Sequence, residues 1–346
     1  MKLIAMKKII FIGLVSFAFT SCFKEIDTVP LERTIESTFT VQNSIKTTQT
    51  YYYLYENTAE EVSFASPRSW DLAFESAGDS SKVILGWATG SIAHKTGKYI
   101  ISDVNQDEIL DYINNSYDWT FDDPAYTNYP DSLSLQNWED GEVYVQNRGV
   151  ESDNYYLIQF VEKTDDFYTF NYAKATDNQN IQSFVINRSD GLNYIYFSFE
   201  ENSTVTVDPR TIDWDLVFAP YLGWWETLTP GEYSPYTQSG ILINNEGGVR
   251  VAQIFDENIA FEDIDSSYIA TSEFTDWKGV IGSNWKILGE TGSENLYNMD
   301  PNKKYILKKY DLLMGGYKYF KLRIIDYKLN GEDHHPTVEF KFLANE

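Results

Sequence analysis

With 52 acidic residues against 27 basic ones in a chain of 346, the formal net charge is -25. Such a chain repels phosphate backbones and anionic headgroups, which excludes nucleic acid as a partner. A hydrophobic content of 42% with 16% aromatics excludes a disordered chain, and the length exceeds what one core usually fills, so two domains are expected.

In chain order, the first element is a leader. Lysines at positions 2, 7 and 8 precede an apolar run from Ile9 to Phe19, then small residues and Cys22. That is the pattern of a secretory signal, too short for a stable membrane span. Its end resembles a bacterial lipoprotein signal, with Phe19 where Leu is usual; the resemblance implies a signal peptide of residues 1–21 and lipidation of Cys22. Cys22 is the single cysteine, so no intrachain disulfide is expected and stability rests on burial. Lys24 and Glu25 resemble the signal that sends some Gram-negative lipoproteins to the outer face of the outer membrane. Residues 22–45, rich in Thr, Ser and Glu, are expected to be a tether, with the lipid as the attachment to the membrane.

The remainder reads as a duplication. "SWDLAF" (Ser69 to Phe74) returns 144 residues downstream as "DWDLVF" (Asp213 to Phe218). Upstream lie "YYYLYENTAEEVSFASPR" (Tyr51 to Arg68) and "YIYFSFEENSTVTVDPR" (Tyr194 to Arg210). Both copies run aromatic strand, Glu-Asn turn, second strand, Pro-Arg, then Trp-Asp. The expected domains are residues 46–188 and 189–346. Within them, Tyr155–Lys163, Asp166–Lys174, Ile181–Arg188, Tyr317–Lys328 and Thr337–Leu343 alternate as strands do, with a turn of several residues expected around Asn330-Gly331. The fold class is therefore all-β: two tandem antiparallel β-sandwich-like domains related by duplication, with a short helix in the first.

That helix is expected in "DVNQDEILDYIN" (Asp103 to Asn114), with Asp103 as N-cap, Gln106 completing a capping box, and Leu110 and Ile113 buried. The competing reading is a calcium loop through Asp103, Asn105, Asp107 and Asp111, but Glu108 stands where the tight turn needs glycine and Asn114 where a bidentate Glu is wanted. In the repeated motif, strand alternation puts Trp70, Leu72 and Phe74 on one core face and Asp71 on the other. Asp71 and Asp215 are expected to pair at the surface with Arg68 and Arg210.

Residues 194–342 resemble the HmuY family of haem-binding surface lipoproteins, through "YIYFSFEENSTVTVDPRTIDWDLVF", "YTQSGILIN" (Tyr236 to Asn244) and "YFKLRIIDYKLNGEDHHPTVEFKF" in the family's order. The first unit resembles it through "PRSWDLAF". The resemblance implies a β-rich, cell-surface domain that holds haem by two axial side chains and passes it to an outer-membrane receptor. The sequence departs from the family where a histidine usually follows the motif: Glu75 follows Phe74 and Ala219 follows Phe218. The remaining axial candidates are His94, beside Lys95 and Lys98, and the thioethers of Met299 and Met314. His334 and His335 are adjacent, so on a strand they point to opposite faces. The segment "APYLGWWETLTPGEYSPYTQSG" (Ala219 to Gly240) is read as a broken loop carrying Tyr221, Trp224, Trp225, Tyr233 and Tyr236, an aromatic platform for haem or another planar ligand. The alternative function is a surface binding module of the same fold whose ligand is a glycan or a protein. No cysteine nucleophile beyond Cys22, zinc-type histidine spacing or phosphate loop is visible, and an enzyme is not expected.

Overall fold

The computed structural model describes residues 37–76, 82–115, 119–125, 134–135, 138–149, 154–226, 229–288, 297–330 and 333–346. Strands β1 (Ser37–Thr40), β2 (Gln49–Leu54), β3 (Ala59–Ala65), β4 (Leu72–Glu75), β5 (Val83–Leu85) and β6 (Ile92–Lys95) precede helix α1 (Gln106–Asn115). Then follow β7 (Thr120–Phe121), β8 (Tyr144–Asn147), β9 (Tyr155–Lys163), β10 (Phe167–Lys174), β11 (Gln182–Asn187), β12 (Tyr194–Ser198) and β13 (Ser203–Val205). The rest are β14 (Leu216–Glu226), β15 (Tyr233–Ile243), β16 (Arg250–Ile254), β17 (Lys286–Leu288), β18 (Tyr297–Met299), β19 (Lys304–Asp311), β20 (Gly316–Asn330) and β21 (Asp333–Asn345). Among the described residues the fold is all-β apart from α1 and short 3-10 turns.

Apart from the small β17-β18 pair, the strands form four antiparallel sheets, ordered β11-β10-β9-β8-β6-β7, β13-β12-β4-β5, β15-β14-β2-β3 and β1-β21-β20-β19-β16. Their cores arrange them as layers in that order. Leu72 and Phe74 from the second sheet meet Tyr144, Ile158 and Phe170 from the first. Ala73, Tyr194 and Tyr196, on the other face of the second sheet, meet Tyr51, Val217 and Leu242 of the third. Leu216 and Phe218, facing away from that central core, meet Leu307, Phe320 and Phe340 of the fourth. The motif is thus apolar at every strand position because both inner sheets are buried on both faces, whereas a half-buried strand would alternate with polar residues.

The two inner sheets are built by exchange between the sequence repeats. Hairpin β2–β3, from the first copy, pairs with β14 of the second (Leu216 opposite Tyr52, Phe218 opposite Thr50). Hairpin β12–β13, from the second copy, pairs with β4 of the first (Phe197 opposite Leu72, Tyr194 opposite Glu75). Backbone hydrogen bonding therefore crosses the expected boundary at 188/189 in both directions.

Each motif aspartate fastens the exchanged hairpin. Asp71 donates its N–H to the Phe197 carbonyl (2.8 Å) and accepts the Phe199 N–H (2.7 Å), and Asp215 does the same with Tyr52 and Leu54 (2.8 and 2.7 Å). The surface pairs expected with Arg68 and Arg210 do not form. Asp71 is buried against Arg148 (2.5 Å), Asp215 is buried against Lys309 (2.6 Å), and Arg210 turns to Asp213 on the surface (2.7 Å). Burial pushes both aspartates above the ordinary carboxylate range, opposed by the cation and the N–H donor. Burial likewise pushes Lys309 down, opposed by Asp215. The expected face of Trp70 is also corrected. It precedes β4, directly after a 3-10 turn over Pro67–Ser69, and packs into the central core against Tyr196 and Trp87 rather than beside Leu72 and Phe74.

The helix forms and the calcium loop does not. Its cap is Asn105, not Asp103: the Asn105 side chain accepts the Glu108 N–H (2.9 Å) and the Glu108 carboxylate accepts the Asn105 N–H (3.0 Å), a capping box two residues later than expected. That shift places Ile109 in the core under the helix and leaves Leu110 exposed. The β20–β21 pairing continues to Asn330 opposite Asp333, so strand replaces most of the turn expected there. His334 is buried beside the Tyr327 hydroxyl (2.5 Å), and the His335 ring meets the Val41 carbonyl (3.0 Å).

Candidate functional site

The segment expected to be a broken loop is a long hairpin. β14 and β15 pair continuously from Leu216 opposite Ile243 to Glu226 opposite Tyr233. Both prolines fit for topological reasons. Pro235 lies on the edge strand β15, and Pro220 lies past Phe218, the last residue of β14 that pairs with β2. Beyond that point the free side of β14 is satisfied by other groups: Leu222 donates to the Trp87 carbonyl and Trp224 to the Asp123 carboxylate, each at 3.0 Å.

A cleft of about 630 Å³ opens beside this hairpin. Its aromatic walls are Tyr221, Trp224, Tyr233 and Trp277, and its polar lining is Asp123, Gln238, Ser283 and Asn284. Trp224 and Tyr233 are about half exposed, whereas Tyr221 is buried. Trp224 is held by the Phe121 ring (centroids 4.7 Å apart), and Trp277 by a bond from its indole N–H to the Ala125 carbonyl (2.9 Å). Gln238 is oriented by the Ser283 hydroxyl, and Asp123 also accepts the Ala125 N–H (2.9 Å). Behind the cleft the chain needs glycine. A Cβ at Gly240 would lie 2.4 Å from the Gly282 carbonyl oxygen, closer than any side chain allows.

Of the five aromatic residues expected at a binding platform, Tyr221, Trp224 and Tyr233 line the cleft. Trp225 and Tyr236 do not. By the pairing register they share a face of the hairpin with Tyr221 and Gln238, nearer its tip and opposite to Trp224 and Tyr233, with ring centroids 6.2 Å apart. The axial candidates are dispersed. His94 lies on β6, between the rings of Tyr112 and Trp119 (5.1 and 5.9 Å). Met299 lies on β18 against the core between the third and fourth sheets, and Met314 is exposed in the β19–β20 turn. None of the three lines the cleft. Among the described residues no three His, Cys, Asp or Glu side chains are grouped to hold a metal ion. Cys22 lies outside the described residues.

Asp123, Trp277 and Asn284 were not legible as site residues, because they come from connections remote in sequence from the hairpin. The signal that does exist is "TDWKGVIGSN" (Thr275 to Asn284), where a Trp stands among glycines.

Next to the cleft, Lys286 donates to the Ser239 carbonyl (2.5 Å) under the rings of Trp285, Tyr327 and Tyr297, at 5.0, 5.3 and 5.6 Å. Among the described residues no carboxylate pairs with it. Burial pushes its ammonium down to about 7, with Lys46 adding repulsion, and burial pushes the neighbouring His334 down to about 4. The sign of the pH effect follows. The unfolded chain holds the Lys286 proton up to its ordinary value of 10.5, so the folded state binds fewer protons between pH 7 and 10.5, and this group makes stability rise with pH across that window. Replacing Lys286 with Met is expected to stabilise the protein by about 2 kcal/mol at pH 7, after allowance for partial solvent access. The advantage should vanish towards pH 10.5, measured by urea unfolding of parent and variant across pH; an advantage that does not change with pH would refute the assignment.

Compared with known protein families, curated proteins and solved structures, the chain has no match in any of the three. No helix among the described residues is long and apolar enough to cross a membrane.

Proposed function

We propose that this chain is a non-catalytic binding module, displayed on the outer-membrane surface by a lipid at Cys22, and that its cleft takes a neutral, polyhydroxylated ligand of the glycan type. The observation that carries this reading is the cleft's composition. Rings of Trp224, Tyr233 and Trp277 stand beside Asp123, Gln238 and Asn284, and none of the described lining residues is Lys, Arg, His or Met. Sugar rings stack their C–H faces on such aromatics, while carboxylate and amide groups bond their hydroxyls.

The second reading is haem capture for an outer-membrane receptor, carried by the resemblance to the HmuY family and favoured by the exposed rings of Trp225 and Tyr236, tilted 48° to each other, either of which offers a stacking surface to a porphyrin. One set of titrations separates the two. Tryptophan fluorescence with cello-, malto- and xylo-oligosaccharides should reveal a binder, and Trp224→Ala should weaken it by about tenfold or more. Hemin should leave the Soret band of the free pigment unchanged. A Soret shift with no response to any oligosaccharide would replace the glycan reading with haem, and silence in both titrations would remove both.

A further inference from the structure

We propose that the cleft continues past Trp277 into a second cavity, so that its ligand is a sugar chain spanning several subsites rather than a single ring. This inference rests on the glycan reading of the cleft and specifies the form of what the cleft holds. The observation behind it is that Trp277 walls two cavities at once: the cleft of about 630 Å³ beside the β14–β15 hairpin, and another of about 440 Å³ beside β16. Gly279 belongs to the lining of the first, and its neighbour Val280 to the lining of the second.

The chain holds Trp277 there by crossing between two sheet edges. β15 is an edge of the third sheet and β16 an edge of the fourth. Thr275 exchanges two backbone hydrogen bonds with Val251 of β16, each of 3.0 Å, and Gly282 exchanges two with Ile241 of β15, also of 3.0 Å. Between them the Lys278 carbonyl accepts the Ile243 N–H (3.0 Å). Residues 275–282 are therefore a strap from one edge to the other. Trp277 is fixed on it at two points: its backbone N–H donates to the Thr275 hydroxyl (3.1 Å), and its indole N–H to the Ala125 carbonyl (2.9 Å). A Cβ at Gly279 would come within 2.3 Å of the Ala125 Cα, so the strap lies directly against the segment that carries Asp123. A ring held in this way loses little freedom when a ligand stacks on it.

The second cavity repeats the chemistry of the cleft. Its rings are Phe255, Tyr268 and Trp277, and its polar groups include Gln253 and Glu273. Phe255 follows the last residue of β16 and is 80% exposed, which makes it the outer rim. Among the described residues, neither the Asn284 amide in the cleft nor the Gln253 amide in the second cavity makes a hydrogen bond. Each keeps two donors and a carbonyl acceptor for ligand hydroxyls. Successive units of a sugar chain stack on successive rings while their hydroxyls meet these amides, and a unit already tethered to its bound neighbour gains affinity from that link. A single ring would use one cavity and leave the other to water.

The test is calorimetric titration of the full chain with the cello-, malto- and xylo-oligosaccharide series, from disaccharide to hexasaccharide. In the series that binds, affinity should rise by about tenfold or more from disaccharide to hexasaccharide. Phe255→Ala should erase most of that rise, lowering the hexasaccharide affinity by about tenfold, and Gln253→Ala should act in the same direction. Trp224→Ala should weaken disaccharide and hexasaccharide alike. Because Phe255 is exposed, its replacement should leave the thermal melt unchanged. Equal affinity for disaccharide and hexasaccharide overturns the inference while the glycan reading stands, and so does a hexasaccharide affinity that Phe255→Ala leaves intact. Binding of no oligosaccharide at any length removes the glycan reading, and this inference with it.

Discussion

Expressed alone, residues 37–188 and residues 189–346 should each fail to show a cooperative unfolding transition, and mixing the two should restore one. The first fragment keeps β4–β5 but loses β12–β13, the hairpin that β4 pairs with. Phe197 and Phe199 then leave the core between the first and second sheets, and Tyr194 and Tyr196 leave the central core. The second fragment loses β2–β3 from β14, and with it Tyr52 and Leu54 from the core between the third and fourth sheets. Removing one buried Phe side chain typically costs about 3–5 kcal/mol, and each fragment forfeits several aromatics at once, which exceeds the whole stability of an ordinary domain. The two sets of sheets complete each other, so the fragments should associate with 1:1 stoichiometry. Circular dichroism melts of each fragment and of the mixture check this. A cooperative melt by either fragment alone, near the temperature of the intact chain, would show that the exchanged hairpins are dispensable.

The second large effect lies at the aspartates that fasten those hairpins. Asp215→Ala should destabilise the protein by about 3–5 kcal/mol, the usual cost of breaking one side of a buried ion pair. It leaves the buried Lys309 ammonium with the Leu54 carbonyl (2.7 Å) and the Tyr53 ring (3.3 Å to its centroid), and it orphans the Leu54 N–H. The double variant Asp215→Ala, Lys309→Met should recover a substantial part of the loss, because the uncompensated charge is gone. Asp71→Ala should behave alike, with Arg148 left to its longer pairing with Glu200 (3.8 Å) and the Phe199 N–H left without its acceptor. Urea unfolding of the single and double variants measures both. Equal stability of Asp215→Ala and its double variant would show that the charge is not the source of the cost.

Local pattern carried a large part of the fold. The alternation in Tyr155–Lys163 yields β9 with the same limits, and the runs at Asp166–Lys174, Ile181–Arg188 and Tyr317–Lys328 yield β10, β11 and β20 with ends shifted by one or two residues. The repeat of Trp-Asp-Leu-x-Phe was legible because each copy must fill the same kind of doubly buried position. Part of the site was legible too. Trp224 and Tyr233 stand out in any reading of "GWWETLTPGEY", and they do line the cleft. The segment was misread as a loop because prolines and glycines break strands in general, and only their place on a free edge shows why they are tolerated here.

What the sequence determined by itself is where several of the strands run and that one Trp-Asp-Leu-x-Phe motif is written twice. Those properties depend on neighbours two residues apart and on comparison of the chain with itself. Which hairpin completes which sheet was decided by tertiary structure alone, since β2–β3 and β12–β13 carry nearly the same pattern and either would satisfy the alternation of either partner. The same holds for Asp71 and Asp215. The nearby Arg68 and Arg210 were the local choices, but burial at the junction of two sheets admits only cations delivered from distant strands, Arg148 beside β8 and Lys309 on β19. The cleft, likewise, exists because Asp123 and Trp277 are brought to the hairpin by the packing of layers, and no periodicity along the chain encodes that meeting.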